Sequence, residues 1–213
     1  NSDKSLIAMR TGLVQNVPVQ TDEIKSEPFG SLFLIHQKTG EEDRMNKLYP
    51  NAVARRVWQI TPQLLNSWGV KGLILDIDNT LTTHNNPIPE PQVAQWLEGN
   101  RRAGIRMIVL SNNHPERVRP FAQALGLEFI ADGAKPLKKG YQRCSQALGL
   151  PCEQLCMVGD QIFTDRLAAG LYGIPCLYTM PRGGDHQRGV QFKRRFEPYW
   201  LDRYYQKGGR LYE

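Results

Sequence analysis

Between residues 72 and 178, short apolar runs alternate with segments of helical spacing, and only short loops join them. Apolar runs bounded by turn residues read as strands buried on both faces. They fall at 73–75, 105–110, 128–131, 155–158 and 174–178. Helical spacing covers 91–103, through Val93, Trp96 and Leu97, and then 116–125, 137–148 and 162–171. Gly104, Gly126 and Gly149 close the first three of these helices. An earlier helix over 63–68 has Thr61 as its N-cap, Pro62 in its first turn and Gly69 at its end. Strand–helix alternation of this kind predicts right-handed βαβ units in an α/β fold. The expected architecture is a Rossmann-like, three-layer parallel sheet, and 213 residues can bury a core of that size.

The ends of these strands carry polar groups that packing does not require. The first runs Leu73-Ile74-Leu75 into Asp76-Ile77-Asp78-Asn79-Thr80. Residues i and i+2 of an extended segment point the same way, so Asp76 and Asp78 project together past the carboxyl end. Two anions so placed repel unless a cation lies between them or one takes a proton. The Thr80 hydroxyl and the Asn79 amide can bond phosphate or fix the turn. The second strand ends at Ser111-Asn112-Asn113, Lys135 follows the third, and Asp160 ends the fourth, with Asp165 close behind. Each has an ordinary alternative: an Asx turn at Asp76, a cap at Ser111, a solvated charge at Lys135, a first-turn carboxylate at Asp165. Together they put four carboxylates, a hydroxyl and an ammonium on one sheet edge. Carboxylates with water select Mg²⁺, and an ammonium and a hydroxyl suit a phosphoryl group. An Asp beside that group can form an aspartyl-phosphate.

Over residues 71–181 the chain resembles the haloacid-dehalogenase-like (HAD) hydrolases. Asp76-Ile77-Asp78-Asn79-Thr80-Leu81 is similar to motif one of that family and Ile108-Val109-Leu110-Ser111-Asn112-Asn113 to motif two. Lys135-Pro136 is similar to motif three, and the run from Val158 through Gly159 and Asp160 to Asp165 to motif four. Asn79 stands where glycine is commoner. With Ser111-Asn112-Asn113 and Ala134-Lys135-Pro136 it narrows the resemblance to subfamily IIIA phosphatases of YqeG type, which are related to phosphatidylglycerophosphate phosphatases. The resemblance implies Asp76 as nucleophile and Asp78 as general acid, then base. It implies Mg²⁺ held by the Asp76 and Asp160 carboxylates and the Asp78 backbone carbonyl, with Asp165 acting through water or orienting Lys135. Ser111 and Lys135 would hold the phosphoryl oxygens, with Thr80 and Asn112 also on the substrate side. A second Asp suits a phosphatase, because a departing alkoxide needs a proton. The gaps from Asp78 to Ser111 and from Ser111 to Lys135 leave no room for a cap domain, so a capless, open site is expected. Such a site suits a lipid phosphate such as phosphatidylglycerophosphate. Alternatives are a soluble sugar phosphate, a nucleotide or nucleic-acid end, or an assembly protein on ribosomes or membranes that uses the fold as a platform.

Charge is uneven along the chain. The total is +6, yet residues 1–44 hold five Lys/Arg against seven Asp/Glu, and the remainder is strongly basic. A basic body favours anionic partners. Residues 1–44 read as an extension, 45–181 as the phosphatase domain and 182–213 as a basic, aromatic tail. In the tail Lys193, Arg194, Arg195, Arg203 and Lys207 are interspersed with Phe192, Phe196, Tyr199 and Trp200, and Pro198 argues against one continuous helix. That composition suits either an anionic membrane surface or packing on the domain. Cys144, Cys152, Cys156 and Cys176 have no metal-ligand spacing and read as thiols of a reducing cytoplasm. No apolar run reaches the roughly 18 residues of a membrane span.

Overall fold

The computed structural model describes residues 47–84, 86–185 and 187–213. The expectation of an extension over residues 1–44 lies outside the described residues. Among the described residues seven parallel strands form one sheet: β1 (Ala52–Ala54), β2 (Gly72–Leu75), β3 (Arg106–Leu110), β4 (Glu128–Ile130), β5 (Leu155–Gly159), β6 (Cys176–Thr179) and β7 (Leu211–Tyr212), in the order β4-β3-β2-β5-β6-β1-β7. The helices are α1 (Pro62–Ser67), α2 (Pro91–Arg102), α3 (Pro115–Ala124), α4 (Lys138–Leu148), α5 (Leu167–Tyr172), α6 (Arg188–Arg194) and α7 (Glu197–Gln206). Thr61 caps α1 as its residue type suggests, accepting from the Leu64 N–H at 3.2 Å.

Strand alternation divides the core into layers. Leu73 and Leu75 of β2, Met107 and Val109 of β3, and Cys156 and Val158 of β5 face one side. They pack there with Leu65 of α1, Trp96 and Leu97 of α2, and Phe121 of α3. The intervening Ile74, Ile108 and Met157 face the other side, with Tyr141 and Cys144 of α4 and Ala168 and Ala169 of α5. Period-two strands covered on both faces require this arrangement. The sheet is thus the three-layer α/β fold expected, and among the described residues no domain is inserted between β2 and β3 or between β3 and β4.

The two outermost strands on one side were not legible as strands. β1 holds three small residues just before Arg55 and Arg56, and β7 holds two residues. Both form because β6 offers an open edge: Val53 pairs with Tyr178, and Leu211 then pairs with Val53. The tail therefore packs on the domain. Trp200 joins Val53, Ile162 and Tyr178 in a third cluster and meets Tyr49 edge-on at 5.3 Å. The helix break before Pro198 is present, since α6 ends at Arg194 and α7 takes Pro198 in its first turn. No helix among the described residues is long and apolar enough to cross a membrane.

Candidate active site

The chain passes from β2 through β3 to β4 on one side, then returns to β5 on the other side of β2. The crevice between the carboxyl ends of β2 and β5 is the topological switch point, where open α/β sheets bind ligands. Register places motif one against motif four. Leu75 pairs with Val158, and the Asp76 N–H donates to the Val158 carbonyl at 3.0 Å. Asp76 therefore sits beside Gly159 and Asp160.

One oxygen each of Asp76, Asp160 and Asp165 can lie within 4.8 Å of the others, and all three residues are buried. The Lys135 ammonium donates to Asp76 Oδ1 at 2.5 Å and to Asp165 Oδ1 at 2.7 Å. Burial pushes the Asp76 carboxyl up to about 7, against the pull of Lys135 and with Asp165 adding to the rise. Burial also raises Asp160, and Arg194 opposes that shift. Lys135 is disfavoured as a cation by burial, but Asp165 and Asp76 more than offset this and hold it above its usual range. The cluster has more negative charge than its ammonium balances and only oxygen donors. A small hard divalent cation fits such a donor set.

Asp165 reaches the cluster through a local distortion. Sequence spacing predicts one helix over 162–171, but Ile162–Arg166 form a π-helical turn before α5 begins. The Arg166 N–H donates to the Gln161 carbonyl five residues back, at 3.2 Å. The wider turn lets Asp165 Oδ2 accept from the Gln161 N–H at 3.2 Å. Gly159 makes room: a Cβ there would lie 2.5 Å from the Asp165 carboxylate.

The other expected residues divide between the pocket and its support. A cavity of about 240 Å³ opens over Asp76, Asp78, Ser111, Asn112 and Lys135. Ser111 Oγ accepts from the Asn113 N–H at 3.1 Å, which fixes the turn after β3. Asn112 ties that turn to the Lys135 loop, donating to the Lys135 carbonyl at 3.0 Å and accepting from its N–H at 2.7 Å. Asp78 stands nearer the mouth, accepting from Asn113 Nδ2 at 2.7 Å and Arg117 at 2.9 Å. Thr80 lies apart from the pocket lining. It is buried, and its hydroxyl faces Asp160 Oδ1 at 3.4 Å. Through that contact it supports the carboxylate cluster.

Sequence reasoning missed several residues. Asn113 lies in motif two but had no role assigned, and Arg117 lacked a signal beyond its nearness to that motif. Asp185, Gln187, Val190 and Lys193 line the pocket from the C-terminal segment. Arg194, grouped in the sequence with surface cations, instead turns inward and pairs with Asp160. Asn79 adopts φ 60°, a left-handed conformation that asparagine tolerates better than most residues after glycine. Its amide donates to Asp185 at 3.0 Å.

Residues 86–173 match the haloacid dehalogenase-like hydrolase family. The chain is 31% identical over 159 residues to "Probable phosphatase YqeG" of Bacillus subtilis, covering 75% of this chain and 92% of that protein. It is 29% identical over 165 residues to the chloroplastic phosphatidylglycerophosphate phosphatase 1 of Chlamydomonas reinhardtii, covering 73% of this chain and 61% of that protein. Among solved structures, a 4-nitrophenylphosphatase from Thermotoga maritima is 12% identical, with a TM-score of 0.47 over 63% of this chain and 90% of the other. The chain belongs to the haloacid-dehalogenase-like hydrolases and is a phosphatase of that family, of the YqeG type.

Proposed function

We propose that the protein is a Mg²⁺-dependent phosphomonoesterase that works through an aspartyl-phosphate on Asp76 and acts on a lipid phosphate. The observation that carries the chemistry is the buried Asp76–Asp160–Asp165 triad with Lys135 bridging two of its members. The Asp76 and Asp160 carboxylates, with the Asp78 carbonyl, would hold the cation, which supplies positive charge for the phosphoryl oxygens. Lys135 orients Asp76 and, with Ser111, binds phosphoryl oxygens; Asn112 holds the two loops together. A carboxylate oxygen of Asp76 attacks phosphorus and the ester P–O bond breaks. The departing alkoxide takes a proton from Asp78. Asp78, now the base, takes a proton from water as that water attacks the phosphoryl group, releasing phosphate and restoring Asp76.

Two features support a lipid substrate. One relative is a phosphatidylglycerophosphate phosphatase. The pocket, without a cap domain, also opens beside α6, where Phe192 and Phe196 stay exposed with their rings 5.3 Å apart. Exposed aromatics near Arg188, Lys193 and Arg195 suit peripheral contact with an anionic cytoplasmic membrane face. The test is a panel of phosphatidylglycerophosphate in vesicles, sugar phosphates, nucleotides and 5′-phosphorylated oligonucleotides, each with Mg²⁺ or EDTA. Preferential Mg²⁺-dependent turnover of the lipid is expected. Preference for a soluble ester would replace the substrate, and no turnover of any ester would favour a non-catalytic assembly role.

A further inference from the structure

Arg194 stands outside the four motifs and beyond the family match at residues 86–173, yet it has more acceptors in the site than Lys135. It enters from the end of α6 with its side chain 16% exposed. Two of its nitrogens donate to Asp160, one to the carboxylate Oδ2 and one to the backbone carbonyl. Its Nε donates to Asp185 Oδ2 at 2.8 Å and its Nη1 to Glu197 Oε2 at 2.7 Å.

Both outer acceptors are themselves anchored. Asp185 Oδ1 accepts from Asn79, the residue after Asp78. Glu197 is buried; its Oε1 accepts from the Ile162 N–H at 2.8 Å and its Oε2 from the Tyr178 hydroxyl at 3.3 Å. One guanidinium therefore joins the loop after β2 to the loop after β5. It occupies Asp160 Oδ2 and leaves Oδ1 on the side of Thr80. Asp160 is 0% exposed, so its orientation is set by these contacts and not by water. A rigid fork bonded to both carboxylate and carbonyl fixes the side chain more firmly than an ammonium could.

We propose that Arg194 is a positioning residue for the divalent-cation site: held by Asn79–Asp185 on one side and Glu197 on the other, it fixes the carboxylate of Asp160 as a metal ligand. The inference rests on reading Asp76 and Asp160, with the Asp78 carbonyl, as a cation site. It assigns the C-terminal helices to the assembly of that site. It also gives Asn79 a use that glycine would lack, since glycine has no amide for Asp185. Groups that orient a ligand from outside the coordination shell are worth about 10- to 100-fold in metal affinity.

The test is Mn²⁺ binding, read from the electron paramagnetic resonance of the free ion and by displacement with Mg²⁺. It compares wild type with Arg194→Lys, Arg194→Gln and Asn79→Gly. Both Arg194 variants are expected to weaken Mn²⁺ binding about 10- to 100-fold. Lysine fails because charge without the fork does not orient Asp160. Asn79→Gly, which accepts φ 60° and keeps Arg194, should shift affinity the same way by less. It also serves if the Arg194 variants do not fold. Unchanged affinity in the folded variants overturns the proposal. Tighter binding also overturns it, because Arg194 would then be a competing counter-cation. If wild type binds no Mn²⁺, the cation-site reading itself fails and the proposal with it.

Discussion

Lys135 Nζ lies 2.5 Å from Asp76 Oδ1, although 59 positions separate the two residues in the chain. The contact joins the loop after β4 to the end of β2, and it counters the burial that raises the Asp76 carboxyl. Lys135→Met keeps much of the volume and removes the charge. Turnover should fall by roughly two to three orders of magnitude, the loss seen when a single charge-stabilising donor is removed. In EDTA the variant should also melt lower at pH 8, because Asp76 and Asp165 lose the cation between them. Steady-state rates and a thermal melt check both. Equal turnover would remove Lys135 from the mechanism.

Gly159→Ala tests how Asp165 is seated. The added methyl would lie 2.5 Å from the Asp165 carboxylate, so that side chain must move away from Lys135. Turnover and Mn²⁺ affinity should both fall by at least about tenfold, or roughly 1.4 kcal/mol each. Gly99→Ala in α2, where a Cβ meets nothing within 4 Å, is the control. It should leave turnover unchanged and stabilise the protein by up to about 1 kcal/mol. Unchanged kinetics in Gly159→Ala would mean that Asp165 is not held as described.

The raised Asp76 carboxyl gives a pH signature. A carboxyl held at about 7 in the fold, against its usual value near 3.8, binds its proton more tightly folded than unfolded. Its stabilising contribution is complete below the unfolded value and is lost as pH rises through about 7. In EDTA the melting temperature of wild type, relative to Asp76→Asn, should therefore fall between about pH 4 and pH 7, the window bounded by those two values. Mg²⁺ should raise it again at pH 8 by binding the folded state. A flat difference across that range contradicts the electrostatic account of the site.

The proposed contact with an anionic membrane has its own test. Phe192→Ser with Phe196→Ser removes an exposed ring pair that is absent from the pocket lining. Sedimentation with anionic vesicles at low salt should drop, as should activity on vesicle-borne lipid phosphate. Activity on 4-nitrophenyl phosphate should hold. An equal fall on both substrates would indicate lost folding, and wild type that ignores vesicles at every salt concentration would favour a soluble substrate.

The carboxylate cluster was legible because its information is local. Asp76 and Asp78 follow a buried strand at period two, and Ser111 and Asp160 end two more such strands. The sheet then brings those ends together by register alone. Arg194 was not legible. Its inward path depends on α6 lying over the site, and no spacing rule distinguishes it from Lys193 and Arg195 beside it. β1 escaped notice because three residues form a strand only when β6 presents an edge. The π-helical turn at Ile162–Arg166 also left no mark, since helical spacing continues through it. Thr80 was read by its chemistry and not its burial, so its place against Asp160 was missed.

The central claim is that Asp76 becomes phosphorylated during turnover. The most direct measurement is acid quench of the enzyme during steady-state turnover with Mg²⁺, followed by mass spectrometry of its peptides. The account predicts one phosphoryl group on the peptide containing Asp76, absent from Asp76→Asn and discharged when a quenched sample is made alkaline. A phosphoryl group on any other residue, or near-wild-type turnover by folded Asp76→Asn, would contradict it.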